Sequence, residues 1–321
     1  VTIDKYCYLT CRYLPPFFEH RIRLVYSKIE MCKTVEEIRH PAVRAVLQFL
    51  NIDRGIELHH DGDLPARSGM GSSSAFTVGL LHALHALRGE MPTRKQLAAE
   101  SIHIEQNVLQ ETVGSQDQVM AAYGGFKHVQ FQPNGEISVV PVVLPAERLA
   151  ELKAHLMLFY TGIVRTASDV ARTYVEDLDA RRRQLRILKD LVGEALDILT
   201  GGKDIELFGH LLHEAWQIKQ SLSPRVSNAE VDELYERARA AGAIGGKLTG
   251  AGGGGFLLLF VPPAKQRAVI AALDRQIHVP FDFESLGSQI IFYEPGVDYA
   301  AAESDRRAQP AIVFKELSNV A

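Results

Sequence analysis

Three cysteines in 321 residues, Cys7, Cys11 and Cys32, are too few and too odd in number for a disulfide framework. They form no CxxC pair, so a zinc site built on them would need unrelated ligands. They suit a reducing compartment, and the expected localisation is cytoplasmic. No apolar run approaches the roughly 20 residues that a membrane helix requires, and no signal-peptide pattern opens the chain. The charge of either sign is also short of excess. The net value of −4 leaves no global attraction for nucleic acid or an anionic membrane, so any phosphate site must be local. The common phosphate-binding signature GxxxxGK[ST] is missing altogether.

What is present is a glycine–serine stretch, Pro65-Ala66-Arg67-Ser68-Gly69-Met70-Gly71-Ser72-Ser73-Ser74-Ala75. It lies between an extended apolar segment near Ile56–His60 and a helical pattern from about Ser73 to Leu87. Such a loop exposes backbone N–H groups at a helix N-terminus, where the dipole favours a phosphate. Glycine lets the main chain approach the anion, and serine hydroxyls can donate to phosphate or ligate magnesium. Alone, a loop of this kind is more often a simple helix cap.

A second loop changes that balance. Lys247-Leu248-Thr249-Gly250-Ala251-Gly252-Gly253-Gly254-Gly255 places five glycines within six residues, at a large entropic cost. The cost is understood where backbone passes very close to something, here the first loop and its ligand. Gly250, Gly252 and Gly255 also spell GxGxxG, but helix precedes them and strand follows. A dinucleotide fold needs the reverse, so that reading is rejected.

Between the loops lie two acids. Asp117, in Gly114-Ser115-Gln116-Asp117-Gln118, follows a glycine bend and is the best candidate base. Glu105, twelve residues upstream, would suit a hard cation together with a loop serine and nucleotide phosphates. On spacing alone, Asp117 serves equally well as a helix cap. Arg165 sits in a turn after a buried strand, where it could meet a substrate phosphate, although a salt bridge is the commoner use. His103 lacks a partner at i+4 and is better read as a packing residue. Arg181–Arg183 read as a solvated helix face.

Patterning divides the chain into residues 1–150 and 151–321, an α+β arrangement. The first part carries strands over about 2–12 and 21–29, a helix over 35–50, the loop and helices above, and a hairpin around Pro133-Asn134-Gly135. The stretch 145–152 reads as the boundary. Beyond it come a strand (155–160), helices across 167–200, 204–222 and 229–241, the second loop, a strand (256–261), a helix (264–276) and a last strand over 289–293. The opening Val1-Thr2-Ile3-Asp4-Lys5-Tyr6 alternates like a strand already under way, so the chain is expected to be a fragment or renumbered.

Taken together, these motifs resemble the GHMP superfamily, named for galactokinase, homoserine kinase, mevalonate kinase and phosphomevalonate kinase. Pro65–Ala75 matches its second motif, Lys247–Gly255 its third, and Gly114–Gln118 the segment carrying its catalytic aspartate. The resemblance implies an ATP-dependent, magnesium-requiring small-molecule kinase with an N-terminal ribosomal S5 domain 2-like unit and a ferredoxin-like C-terminal domain. It assigns Asp117 as base, also touching substrate, and Glu105 and Ser73 as magnesium ligands. Gly69, Met70, Gly71, Ser72, Ser73 and Ser74, with Gly250, Gly252 and Gly253, become the nucleotide site, and Arg165 a substrate contact. Shorter segments, including Thr2–Tyr6, Gly124-Gly125-Phe126 and Tyr160-Thr161-Gly162, are most similar to bacterial D-glycero-D-manno-heptose 7-phosphate kinases. The expected partners are therefore ATP and a sugar phosphate, with a homo-oligomer compatible, and neither nucleic acid nor membrane. Other sugar kinases of the superfamily, acting on fucose or galactose, and a non-catalytic binding protein on the same fold are the alternatives. The superfamily's first motif is absent and should precede Thr2.

Overall fold

The computed structural model describes residues 1–164, 167–175, 178–294, 296–297 and 299–308. Its N-terminal half is built on a four-stranded sheet in the order Cys7–Tyr13, Ile56–Gly62, Ile22–Val25, Ile29–Cys32. The second and third of these run parallel, and the other pairs are antiparallel. Cys7–Tyr13 alternates half-buried and exposed residues, so one sheet face is covered and the other meets water. The covered face packs on helices Pro41–Phe49 and Ser72–Leu87. In the latter helix Phe76, Leu80, Leu81 and Leu84 are buried, each worth roughly 1.5–3 kcal/mol relative to exposure. That burial anchors the helix whose first turn is the glycine–serine loop.

Helix Arg94–Ile102 continues into a π-helical segment, His103–Val108, and helix Gln116–Tyr123 follows. A hairpin, Lys127–Phe131 with Ile137–Pro141, closes this half. The expected single helix over 35–50 is split, because Pro41 starts a new helix behind a short 3₁₀ turn, Val35–Glu37. The expected boundary at 145–152 is itself helical, over Ala146–His155, with Pro145 just before its first residue.

The C-terminal half carries a second four-stranded sheet, entirely antiparallel, in the order Ile277–His278, Leu156–Tyr160, Phe256–Phe260, Gly245–Leu248. Helices Arg182–Thr200, Glu206–Gln220 and Ala229–Ala240 accompany it, and Trp216, Leu234 and Tyr235 share a buried cluster with Phe159 and Leu257 of the sheet.

After His278 the chain returns to the N-terminal half. Phe283–Glu284 pairs antiparallel with Thr2–Ile3, and the Ser288 N–H donates to the Ala121 carbonyl at 2.8 Å. Helix Ala300–Ala308 docks through Glu303, which accepts from the Gly55 N–H at 2.7 Å and from Arg21 at 3.1 Å. The expected last strand over 289–293 is absent: among the described residues no strand pairing falls there, and Ile291 and Phe292 are exposed. Apolar content suggests a strand there, but pairing is decided by available neighbours, and here the pairing falls on Phe283–Glu284.

Candidate active site

The first glycine loop ends at Gly71, which occupies the N-cap of helix Ser72–Leu87 with φ +72°. Only glycine adopts that conformation cheaply, and the turn aims the following N–H groups along the start of the helix. A second reason for glycine is contact. A Cβ at residue 71 would lie 3.3 Å from Cγ of Asp117 and 3.5 Å from its Oδ2. The expected base and the expected phosphate loop are thus neighbours.

Helix Gln116–Tyr123 has Ser115 at its N-cap, and Asp117 sits in the first turn. The alternative in which Asp117 caps this helix is therefore set aside. The preceding loop is held by Gln106, whose Nε2 donates to the Val113 carbonyl at 2.9 Å and to Ser115 Oγ at 3.1 Å.

Glu105 lies inside the π-helical segment, a local widening of the kind that often marks functional positions. It is 1% exposed. Its Oε2 accepts from Ser74 Oγ at 2.9 Å and from Gln118 Nε2. Oε1 is buried and makes no hydrogen bond. Burial pushes the Glu105 carboxyl above the ordinary glutamate range, and the polar groups of Ser74, Thr77 and Gln118 around it offset only part of that.

Among the described residues no group of three His, Cys, Asp or Glu side chains could hold a metal by themselves. That does not disqualify magnesium, which is usually bound by one or two carboxylates together with substrate phosphates. A buried carboxylate oxygen left without a partner is the donor such a cation uses, so Glu105 fits. Of the two serines, both in the first turn of helix Ser72–Leu87, Ser73 is exposed, whereas Ser74 is buried and turned inward onto Glu105. The Ser74 hydroxyl, expected to face the nucleotide, is instead committed to Glu105.

The second loop reaches the first. The Gly255 carbonyl accepts from both the N–H and the Oγ1 of Thr161, each at 2.8 Å, and its own N–H donates to Ile163 at 2.9 Å. A Cβ at Gly255, where φ is +93°, would lie 1.9 Å from the Ser68 carbonyl oxygen. On the outer side the Gly253 N–H donates to Val226 at 2.7 Å, Asn228 donates to the Gly253 carbonyl at 3.2 Å, and Lys219 donates to the Gly250 carbonyl. The close approach expected between the two loops is present. Arg165 falls outside the described residues. His103 packs against Phe49, with ring centroids 5.7 Å apart.

Sequence reading missed Ser68, Thr161, Val226 and Asn228 as supports of the loops. Ser68 was visible as part of the motif, but its buried carbonyl contact was not. The others act mainly through backbone groups or short polar side chains whose partners are distant in sequence.

The family GHMP kinases N terminal domain matches residues 34–125, and GHMP kinases C terminal matches residues 187–278. The chain is 30% identical over 242 residues to a D-glycero-alpha-D-manno-heptose 7-phosphate kinase of Campylobacter jejuni, covering 75% of this chain and 71% of that protein. It is 29% identical over 264 residues to a mevalonate kinase of Pyrococcus abyssi, covering 80% and 74% respectively. Among solved structures, a D-glycero-D-manno-heptose 1-phosphate kinase from Bacteroides thetaiotaomicron superposes with a TM-score of 0.71 at 22% identity, covering 91% of this chain and 89% of that one. Two glycine loops in contact, an aspartate against the first of them and both domain matches in order place this chain in the GHMP kinase family, as an ATP-dependent phosphotransferase.

Proposed function

We propose that the chain is a magnesium-requiring, cytoplasmic sugar-phosphate kinase that phosphorylates the anomeric hydroxyl of D-glycero-D-manno-heptose 7-phosphate, on a route to nucleotide-activated heptose. The observation that supports this most is the placement of the Asp117 carboxylate against Gly71, at the mouth of the phosphate loop. In this reading the N–H groups of residues 69–74 cradle the triphosphate, with Gly250, Gly252 and Gly253 lining its other side. Asp117 takes the proton of the sugar hydroxyl as its oxygen bonds to the γ-phosphorus. The bond from that phosphorus to the bridging oxygen breaks, and ADP leaves. Glu105, through Oε1, and Ser73 would hold magnesium, which when bound supplies charge compensation beside the phosphate oxygens. Arg165 is assigned to the phosphate already carried by the sugar.

The substrate is supported by the 30% identity to the Campylobacter jejuni protein across most of the chain. An ADP-release assay with magnesium and ATP, run on D-glycero-D-manno-heptose 7-phosphate, galactose, fucose and mevalonate, tests it. Turnover on the heptose phosphate well above the other three is expected. Strong turnover confined to a free hexose or to mevalonate would eliminate the heptose assignment and leave the kinase reading standing.

A further inference from the structure

We propose that Gln118 is a positioning residue that fixes the plane of the Glu105 carboxyl group and so presents Oε1 to the metal–nucleotide pair. The inference rests on the kinase reading above. Gln118 is fully buried, and its Nε2 donates to Glu105 Oε2. Ser74 Oγ donates to the same oxygen at 2.9 Å, from a different helix. Two donors arriving on one oxygen from separate elements restrict rotation about the terminal bond of Glu105. The other oxygen is left buried and without a hydrogen bond.

The amide of Gln118 is itself incompletely satisfied, since its Oε1 is also buried without a partner. A methionine would fill the same space without stranding a polar atom, and buried polar groups left unpaired are rare in folded proteins. Packing alone therefore does not account for an amide here. Its NH₂ group, the only part that can face an ionised carboxylate, is directed at Glu105. Gln118 also follows Asp117 directly in the first turn of helix Gln116–Tyr123. One rigid turn thus sets the base against Gly71 and orients the acid held by Ser74. Partners of metal ligands act in this way, and their loss typically weakens metal binding about 10–100-fold.

The test uses the whole chain with Gln118→Met and, separately, Ser74→Ala. Binding of Mn²⁺ in the presence of a non-hydrolysable ATP analogue is followed by electron paramagnetic resonance. Binding of the same analogue in EDTA is measured by calorimetry. Loss of either donor is expected to weaken Mn²⁺ binding about 10–100-fold, and for Gln118→Met the metal-free analogue affinity stays within about twofold of wild type and turnover recovers at excess magnesium. A folded Gln118→Met protein with wild-type Mn²⁺ affinity would overturn the inference alone. So would equal losses in the metal-free and metal-bound measurements, which indicate a general structural role. If Gln118→Met does not fold, Gln118→Leu is judged by the same two outcomes, and wild-type Mn²⁺ affinity in Ser74→Ala would likewise overturn the inference. A wild-type chain that takes up no Mn²⁺ with the analogue would overturn the kinase reading, and this inference with it.

Discussion

The carbonyl oxygen of Ser68 occupies the space where a side chain on Gly255 would begin, 1.9 Å from the position of a Cβ. The two residues belong to different glycine loops and to different halves of the chain. Their contact brings together two segments that are 187 positions apart in sequence (255 minus 68). Because the obstructing atom is backbone, it cannot swing aside as a flexible side chain could.

Gly255→Ala should therefore separate the loops. The substitution also meets a φ of +93°, which residues with a Cβ adopt only under strain. A lower thermal midpoint and a loss of nucleotide affinity are expected together, read by calorimetry and analogue binding. Wild-type affinity in this variant would mean that the second loop does not contribute to the nucleotide site.

Gly71→Ala tests the other contact of the first loop. The left-handed conformation at φ +72° costs a residue with a Cβ about 1–2 kcal/mol. The added methyl group would also press on Asp117, whose Cγ is 3.3 Å away. A displaced base can lower turnover by about 100-fold, so kcat/KM should fall by more than the stability change explains. A variant that loses stability but keeps kcat/KM would show that Asp117 tolerates displacement.

Acid stability is expected to depend on Glu30. Burial opposes its ionisation, but the Tyr26 hydroxyl at 2.6 Å, the Arg39 N–H at 2.6 Å and the His40 N–H at 3.1 Å outweigh it and hold the carboxyl below the ordinary glutamate range. A depressed folded value stabilises the protein above the unfolded value, about 4.3. That contribution is lost as pH falls through the folded value. Glu30→Gln should accordingly be less stable than wild type at pH 7, with the gap closing as pH falls below about 4.3. A gap that stays constant from neutral into acid would assign the loss to packing instead.

Much of this site was legible because its chemistry is local. Glycine runs, a serine series and an aspartate after a bend all carry their meaning within a few residues, and Asp117 stands out as a candidate that way. What stayed hidden depends on direction or on distant partners. Ser72, Ser73 and Ser74 look alike in sequence, and only the helical turn decides that Ser74 faces Glu105 while Ser73 faces out. The π-helical segment that holds Glu105 leaves no compositional mark. The strand expected over 289–293 finds no partner among the described residues, while Phe283–Glu284 pairs with Thr2–Ile3 some 280 positions away. The helix Ala146–His155 was not expected in the stretch 145–152, although Pro145 and a mixed polar and apolar sequence are also what a helix start looks like.

The most direct test of the account is Asp117→Asn, assayed by single-turnover rapid quench with magnesium, ATP and the best sugar substrate, alongside ATP binding by calorimetry. The account predicts ATP affinity near wild type with a transfer step about 10²–10⁴-fold slower. Transfer at the wild-type rate would contradict it and remove Asp117 from the chemistry.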